Sequence, residues 1–96
     1  MKLVILFSMK GCPHCVHLKE LFEKNNIIYI DRDIHEYEEE YEAFVEAKNN
    51  EFVPALMLMT LEENQEDYSN VKLLAPDDDY EGITEALELV NKYLSE

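Results

Sequence analysis

The sequence predicts an α/β domain spanning residues 1–96, with the order β-α-β-α-β-β-α and a four-stranded mixed sheet flanked by three helices. Three observations predict it. The chain opens on an apolar run that does not alternate, as a strand covered on both faces requires. Three later stretches repeat apolar residues at helical spacing. Between them lie short strand-like runs bounded by asparagine, proline and acidic breaks.

Residues 2–8 are the first strand, followed by a loop at Ser8-Met9-Lys10-Gly11. Pro13 suits the first turn of a helix, where its missing N–H would have no partner. Cys15, Leu18, Leu21 and Phe22 recur at helical spacing, and Asn25-Asn26 ends the helix. Residues 27–30 form a second strand. A second helix covers 36–48, with Tyr37, Tyr41, Phe44 and Val45 on one face and Glu38-Glu39-Glu40 on a solvated one. Asn49-Asn50 breaks it. A third strand, 55–60, starts after Val53-Pro54; the polar, acidic residues 61–70 make a loop, and 71–74 a short fourth strand. Asp77-Asp78-Asp79 lead into a helix carrying Ile83, Leu87, Val90 and Leu94, acidic residues in its first turn complementing the helix dipole.

Composition narrows the function. The chain has 22 acidic and 8 basic residues, a net charge of −14. Nucleic acid needs Lys and Arg opposite its phosphates, and anionic membrane surfaces need the same, so neither is an expected partner. The charge favours solubility and a neutral or basic partner face. The apolar run at 3–7 is too short for a signal peptide or a membrane span. A cytoplasmic monomer is expected, in a compartment that keeps thiols reduced.

The two cysteines, Cys12 and Cys15, stand two residues apart. A bridge between them closes so small a loop that it removes little entropy from the unfolded chain; the pair is better placed to react than to stabilise. At the start of a helix, free backbone N–H groups and the dipole favour an anion at Cys12, and the thiolate is the nucleophile. Cys15, within the first turn, can attack a mixed disulfide formed by Cys12. Pro13 stiffens the connection. His14, when protonated, stabilises the thiolate further and makes the pair more oxidising. A metal site is the rival reading, since Cys12, His14, Cys15 and His17 are all zinc-ligand types. Structural zinc usually draws on two separated ligand pairs, and here His35 stands alone. His17 reads as an exposed helix residue and His35 as a loop residue. No metal and no bound cofactor are expected beyond the redox-active Cys12–Cys15 disulfide.

These residues resemble the glutaredoxin family, within the thioredoxin-like fold. Phe7-Ser8 leads into Cys12-Pro13-His14-Cys15, where the family usually has Cys-Pro-Tyr-Cys. Val53-Pro54 matches the Val-Pro before the third strand, whose proline bond is cis and faces the active-site cysteines in that fold. Leu74-Ala75-Pro76-Asp77-Asp78-Asp79 lies where the family has a Gly-Gly turn and a pair of aspartates. The resemblance implies Cys12 and Cys15 as catalytic residues, Pro13, His14 and Lys10 as tuning residues, and Val53, Pro54, Asp77 and Asp78 as substrate- or glutathione-binding residues. Met9 stands where the family has a lysine three residues before the first cysteine, and Lys10 is shifted by one. Asn50-Glu51-Phe52 replaces a stretch that often carries Gln or Arg for a glutathione carboxylate. These departures predict weaker glutathione contacts with the dithiol chemistry kept.

The function implied is reduction of protein or glutathione-mixed disulfides. The partners are disulfide-containing proteins and, as reductant, glutathione or a thioredoxin-reductase-like flavoenzyme. The alternative is a soft-metal (Zn/Cu) or iron–sulfur carrier using the same Cys/His cluster. Residues 9–15 are one position off the M-x-C-x-x-C loop of soft-metal chaperones. That fold has two adjacent central strands between its helices, whereas this chain places a helix between its second and third strands.

Overall fold

The computed structural model describes residues 2–60 and 71–96. Its elements are β1 (Lys2–Ser8), α1 (Pro13–Lys24), β2 (Ile30–Asp33), α2 (Glu38–Lys48), β3 (Ala55–Thr60), β4 (Lys72–Leu74) and α3 (Ile83–Ser95). The sheet order is β2-β1-β3-β4. β1 pairs parallel with β2 and antiparallel with β3, and β4 is antiparallel to β3. The mixed four-stranded sheet with three helices is the predicted architecture; the acidic loop expected at 61–70 lies outside the described residues.

The unalternating run in β1 follows from this topology. Side chains alternate across a strand. Val4 and Leu6 enter a core with Leu18 and Phe22 of α1 and Ala86, Val90 and Tyr93 of α3. Ile5 and Phe7 enter a second core with Phe44 of α2 and Ala55. α1 and α3 thus cover one face and α2 the other, so every residue from Val4 to Ser8 is buried. β3 divides the same way, with Leu56 and Leu58 in the first core and Ala55 in the second.

The second strand begins three residues later than expected. α1 closes with Asn26 in the left-handed region at φ 57°. The Asn26 N–H reaches the Glu23 carbonyl at 3.2 Å, and the Ile27 N–H reaches that of Phe22 at 2.8 Å. This paired closure of a helix end consumes Ile27, whose side chain packs against the core with Phe22. Pairing with β1 starts only at Ile30, opposite Ile5. The paired residues Ile30-Asp31-Arg32-Asp33 form a polar edge that apolar-run reasoning passes over.

α2 starts at Glu38 rather than 36. Asp33 holds the preceding turn: its Oδ1 accepts the His35 N–H at 2.8 Å, and its carbonyl accepts the N–H groups of Glu36 and Tyr37, each at 3.0 Å. Glu38, Glu39 and Glu40 are exposed in the first turn, as expected. Glu40 also pairs with Arg32, whose guanidinium lies 5.1 Å from the Tyr37 ring centroid. The helix ends at Asn49, φ 52°.

Asp77, Asp78 and Asp79 are not in the first turn of α3. They form a separate turn in which the Asp77 N–H bonds the Tyr80 carbonyl at 2.8 Å and the Asp79 N–H bonds that of Ala75 at 3.0 Å. The helix itself is capped by Gly82 and carries Glu85 in its first turn. Leu94, expected on the apolar stripe, is exposed; Val90 is buried on it as expected, together with Ala86 and Tyr93. Tyr93 is held by Thr60, with its hydroxyl 2.6 Å from Oγ1, and its carbonyl accepts the Lys2 ammonium at 2.7 Å.

Candidate active site

The chain leaves the end of β1 and turns at Gly11, whose φ of +80° suits a residue without a Cβ. It enters α1 with Cys12 as N-cap, in an extended conformation, and Pro13 in the first turn. An N-cap side chain normally accepts a hydrogen bond from a free backbone N–H inside the first turn. Here the acceptor is sulfur: the Cys15 N–H donates to Cys12 Sγ at 3.2 Å. Both cysteines are free thiols. Cys12 is 7% exposed and Cys15 1%. Burial, followed by the hydrogen bond with Cys12, pushes the Cys15 thiol up from 9.0 to about 12. Cys15 therefore holds its proton near neutral pH.

The Val53–Pro54 peptide bond is cis. Pro54 is buried, and its carbonyl accepts a hydrogen bond from the Tyr80 hydroxyl. A groove of about 260 Å³ lies along this loop, walled by His14, Phe52, Val53, Pro54, Asp77 and Tyr80 among others. Val53, Pro54 and Asp77, named from the sequence, thus meet His14 at one place. Asp78 does not line the groove; its Oδ2 lies 3.3 Å from Asn50 Nδ2. Lys10 is also elsewhere. It lines a separate hollow of about 300 Å³ with Ser8, Met9, Cys15, Lys19 and Asp31. There the Ser8 hydroxyl donates to Asp31 Oδ1 at 2.6 Å, and Lys19 pairs with Asp31 at 2.8 Å. Glu51 lines a third hollow, beside Ile34, Tyr41 and Val45.

Two residues that frame the groove escaped the sequence reading. Asn50, read as a helix breaker, is 8% exposed. Its Nδ2 donates to the Pro76 carbonyl at 2.7 Å, and its Oδ1 accepts the Phe52 N–H at 2.9 Å. It therefore ties the loop before Pro54 to the aspartate turn. Tyr80 is 3% exposed, and burial raises its phenol above the ordinary value. Its signal is an aromatic residue directly after three aspartates, where a solvated helix start would not place one. Among the described residues, no three His, Cys, Asp or Glu side chains come together as a metal donor set. Nor is any helix among them long and apolar enough to cross a membrane.

Comparison with known proteins agrees with this geometry. A glutaredoxin family model matches residues 4–60. Glutaredoxin 1 of Rickettsia typhi is 35% identical over 43 residues, which cover 44% of this chain and 41% of that protein. The match thus spans less than half the length of that curated relative. Among solved structures, the thioredoxin-like protein BC3987 aligns with a TM-score of 0.58 at 14% identity, covering 94% of this chain and 97% of that one. Trichomonas vaginalis thioredoxin aligns with a TM-score of 0.55 at 15% identity, covering 98% of this chain and 78% of that one. The structures share the fold, the family model spans both cysteines and the Val53-Pro54 pair, and the chain belongs to the glutaredoxin family.

Proposed function

We propose that this chain catalyses dithiol–disulfide exchange, with Cys12 as attacking and Cys15 as resolving residue. The observation that carries the reading is the Cys15 N–H directed at Cys12 Sγ at 3.2 Å. A donor fixed on that sulfur by the helix start stabilises negative charge there before and during attack. The Cys12 thiolate attacks a substrate disulfide, bonds to one sulfur and releases the other as a thiolate, which takes up a proton. Cys15 then loses its proton and attacks Cys12 Sγ. The substrate's second sulfur leaves as a thiol, and the Cys12–Cys15 disulfide remains. Two electrons have passed from the pair to the substrate, and a separate reductant returns them.

The finer assignments rest on the same arrangement. His14 is exposed at the motif and lines the groove, where a histidine, when protonated, favours the thiolate and raises the oxidising power of the pair. Val53 and Pro54 present the backbone along which a substrate segment lies. A protein reductant serves this chain better than glutathione, since no Lys or Arg among the described residues lines the groove.

Trapping tests the reading. A Cys15→Ser variant should accumulate a mixed disulfide on Cys12 that dithiothreitol releases, and a Cys12→Ser variant should accumulate none. Equal trapping by both variants would overturn the assignment of roles.

A further inference from the structure

Two unlike kinds of side chain line the groove. One is Phe52, 61% exposed although it is a large aromatic residue. The others are the carboxylates Asp77 and Glu81, both exposed. The nearby Lys48 does not neutralise them, because its ammonium pairs with Asp79 at 2.9 Å. The rest of the chain adds to the field, with a net charge of −14. An apolar side chain and two carboxylates in one groove, which His14 of the cysteine motif also lines, suit a segment carrying one apolar and one cationic side chain close to its disulfide.

We propose that this groove selects protein disulfides whose cysteine is flanked, within about two residues, by Lys or Arg, with a neighbouring apolar side chain seated on Phe52. This rests on the dithiol-exchange reading and names its substrate class. An extended segment sends successive side chains to opposite sides. With its sulfur at Cys12 and its backbone along Val53, it can therefore offer Phe52 one side chain and Asp77 and Glu81 the next. Attraction at exposed carboxylates is modest and is screened by salt, so the preference is a matter of several-fold. The long-range negative potential adds to it by steering cationic segments toward the site. An anionic segment meets the same carboxylates as repulsion.

The test uses the pre-reduced full chain and three peptides with the same intramolecular disulfide loop, flanked by Arg-Leu, Gln-Leu or Glu-Leu. Second-order rates of peptide reduction are read by acid quench and chromatography. The order expected is Arg over Gln over Glu, with Arg and Glu about tenfold apart at low salt. The ratio should shrink several-fold as salt rises to about 0.5 M. In an Asp77→Asn/Glu81→Gln variant it should fall towards one; asparagine suits the left-handed backbone at 77, where φ is 69°. Equal rates in the unmodified chain, or a ratio that survives both salt and the double substitution, would overturn the inference and leave the exchange reading standing. Failure to reduce any of the three peptides would instead remove the exchange reading, and this inference with it.

Discussion

The Cys15 backbone N–H points at the Cys12 sulfur from 3.2 Å, while the Cys15 side chain is 1% exposed. One peptide unit thus serves both cysteines in opposite ways: its N–H stabilises charge on Cys12, and its own thiol is held away from water. Iodoacetamide at mildly acidic pH should label Cys12 at least tenfold faster than Cys15, as peptide mapping would show. The same burial sets a stability change at alkaline pH. The thiol of Cys15 titrates near 9.0 when unperturbed and is pushed up to about 12 in the fold. Between these values the folded chain holds a proton that the unfolded chain has lost. Its contribution is intact below pH 9.0 and is lost as pH rises towards 12, with a slope of about 1.4 kcal/mol per pH unit. Denaturant melts of the reduced protein against Cys15→Ala should show the gap in unfolding free energy changing across that window. A constant gap would sink the prediction.

His14→Tyr should make the reduction potential more negative. His14 is exposed as the second residue of α1 and lines the groove. Replacing it removes a side chain that favours the thiolate when it carries a proton. The dispersed acidic surface works in the other direction but is screened beyond about 8–10 Å at ordinary salt. The expected change is on the order of tens of millivolts, read from redox equilibration with a glutathione buffer. A shift towards positive values would reverse the sign of the argument.

Asn50 should matter more than its place after a helix suggests. Asn50→Asp replaces the Nδ2 donor with an acceptor facing the Pro76 carbonyl and Asp78 Oδ2, both acceptors themselves. Breaking a buried hydrogen bond this way costs about 1–3 kcal/mol. Asn50→Ala also frees the Phe52 N–H, yet should lose less because it places no carboxylate against the Pro76 carbonyl and Asp78. Chemical unfolding checks the order. Peptide-disulfide reduction should show a raised KM in both variants, since the Phe52 loop loses its tie to the turn at 76–78.

Glutathione should drive turnover poorly. It carries net negative charge near neutral pH and meets Asp77 and Glu81 in the groove, while Lys10 lies in a different hollow. Coupled assays on one disulfide substrate should favour a thioredoxin-reductase-like reductant by several-fold over glutathione with its reductase. Equal or better glutathione-driven turnover would place the chain with ordinary glutathione-dependent members of the family.

The parts legible in the sequence share a physical reason. β1 could be read because burial on both faces removes the alternation a half-exposed strand would show, and α1 because Pro13 and the spacing of Cys15, Leu18 and Phe22 mark a start and a face. The Cys12–Cys15 pair and Val53-Pro54 could be placed because their residue types are chemically unusual. β2 was misplaced because Ile27 is apolar for the sake of the helix end, while the paired residues Asp31 and Asp33 look like a turn. The aspartate turn was merged with α3 because its bonds, from the Ala75 N–H to Asp79 Oδ2 and from Asn50 Nδ2 to the Pro76 carbonyl, join residues the local pattern does not connect. Lys10 could not be placed because a shift of one residue in a loop moves a side chain to the other side of the motif.

β1 is the only strand among those described with neighbours on both edges and helices on both faces that also leads directly into Cys12. Its amides at 4–7 should be among the slowest in the molecule to exchange with deuterium, opening only when the sheet itself does, while three-residue β4 should release its protons early. The sulfur proposed to attack is therefore mounted just past a strand held on both edges and both faces. The other boundary of the groove is the 76–80 turn, tied by the Asn50 bond to the Pro76 carbonyl and the Tyr80 bond to the Pro54 carbonyl. On the exchange proposal, substrate preference is therefore set at that turn and the position of the attacking sulfur by the sheet.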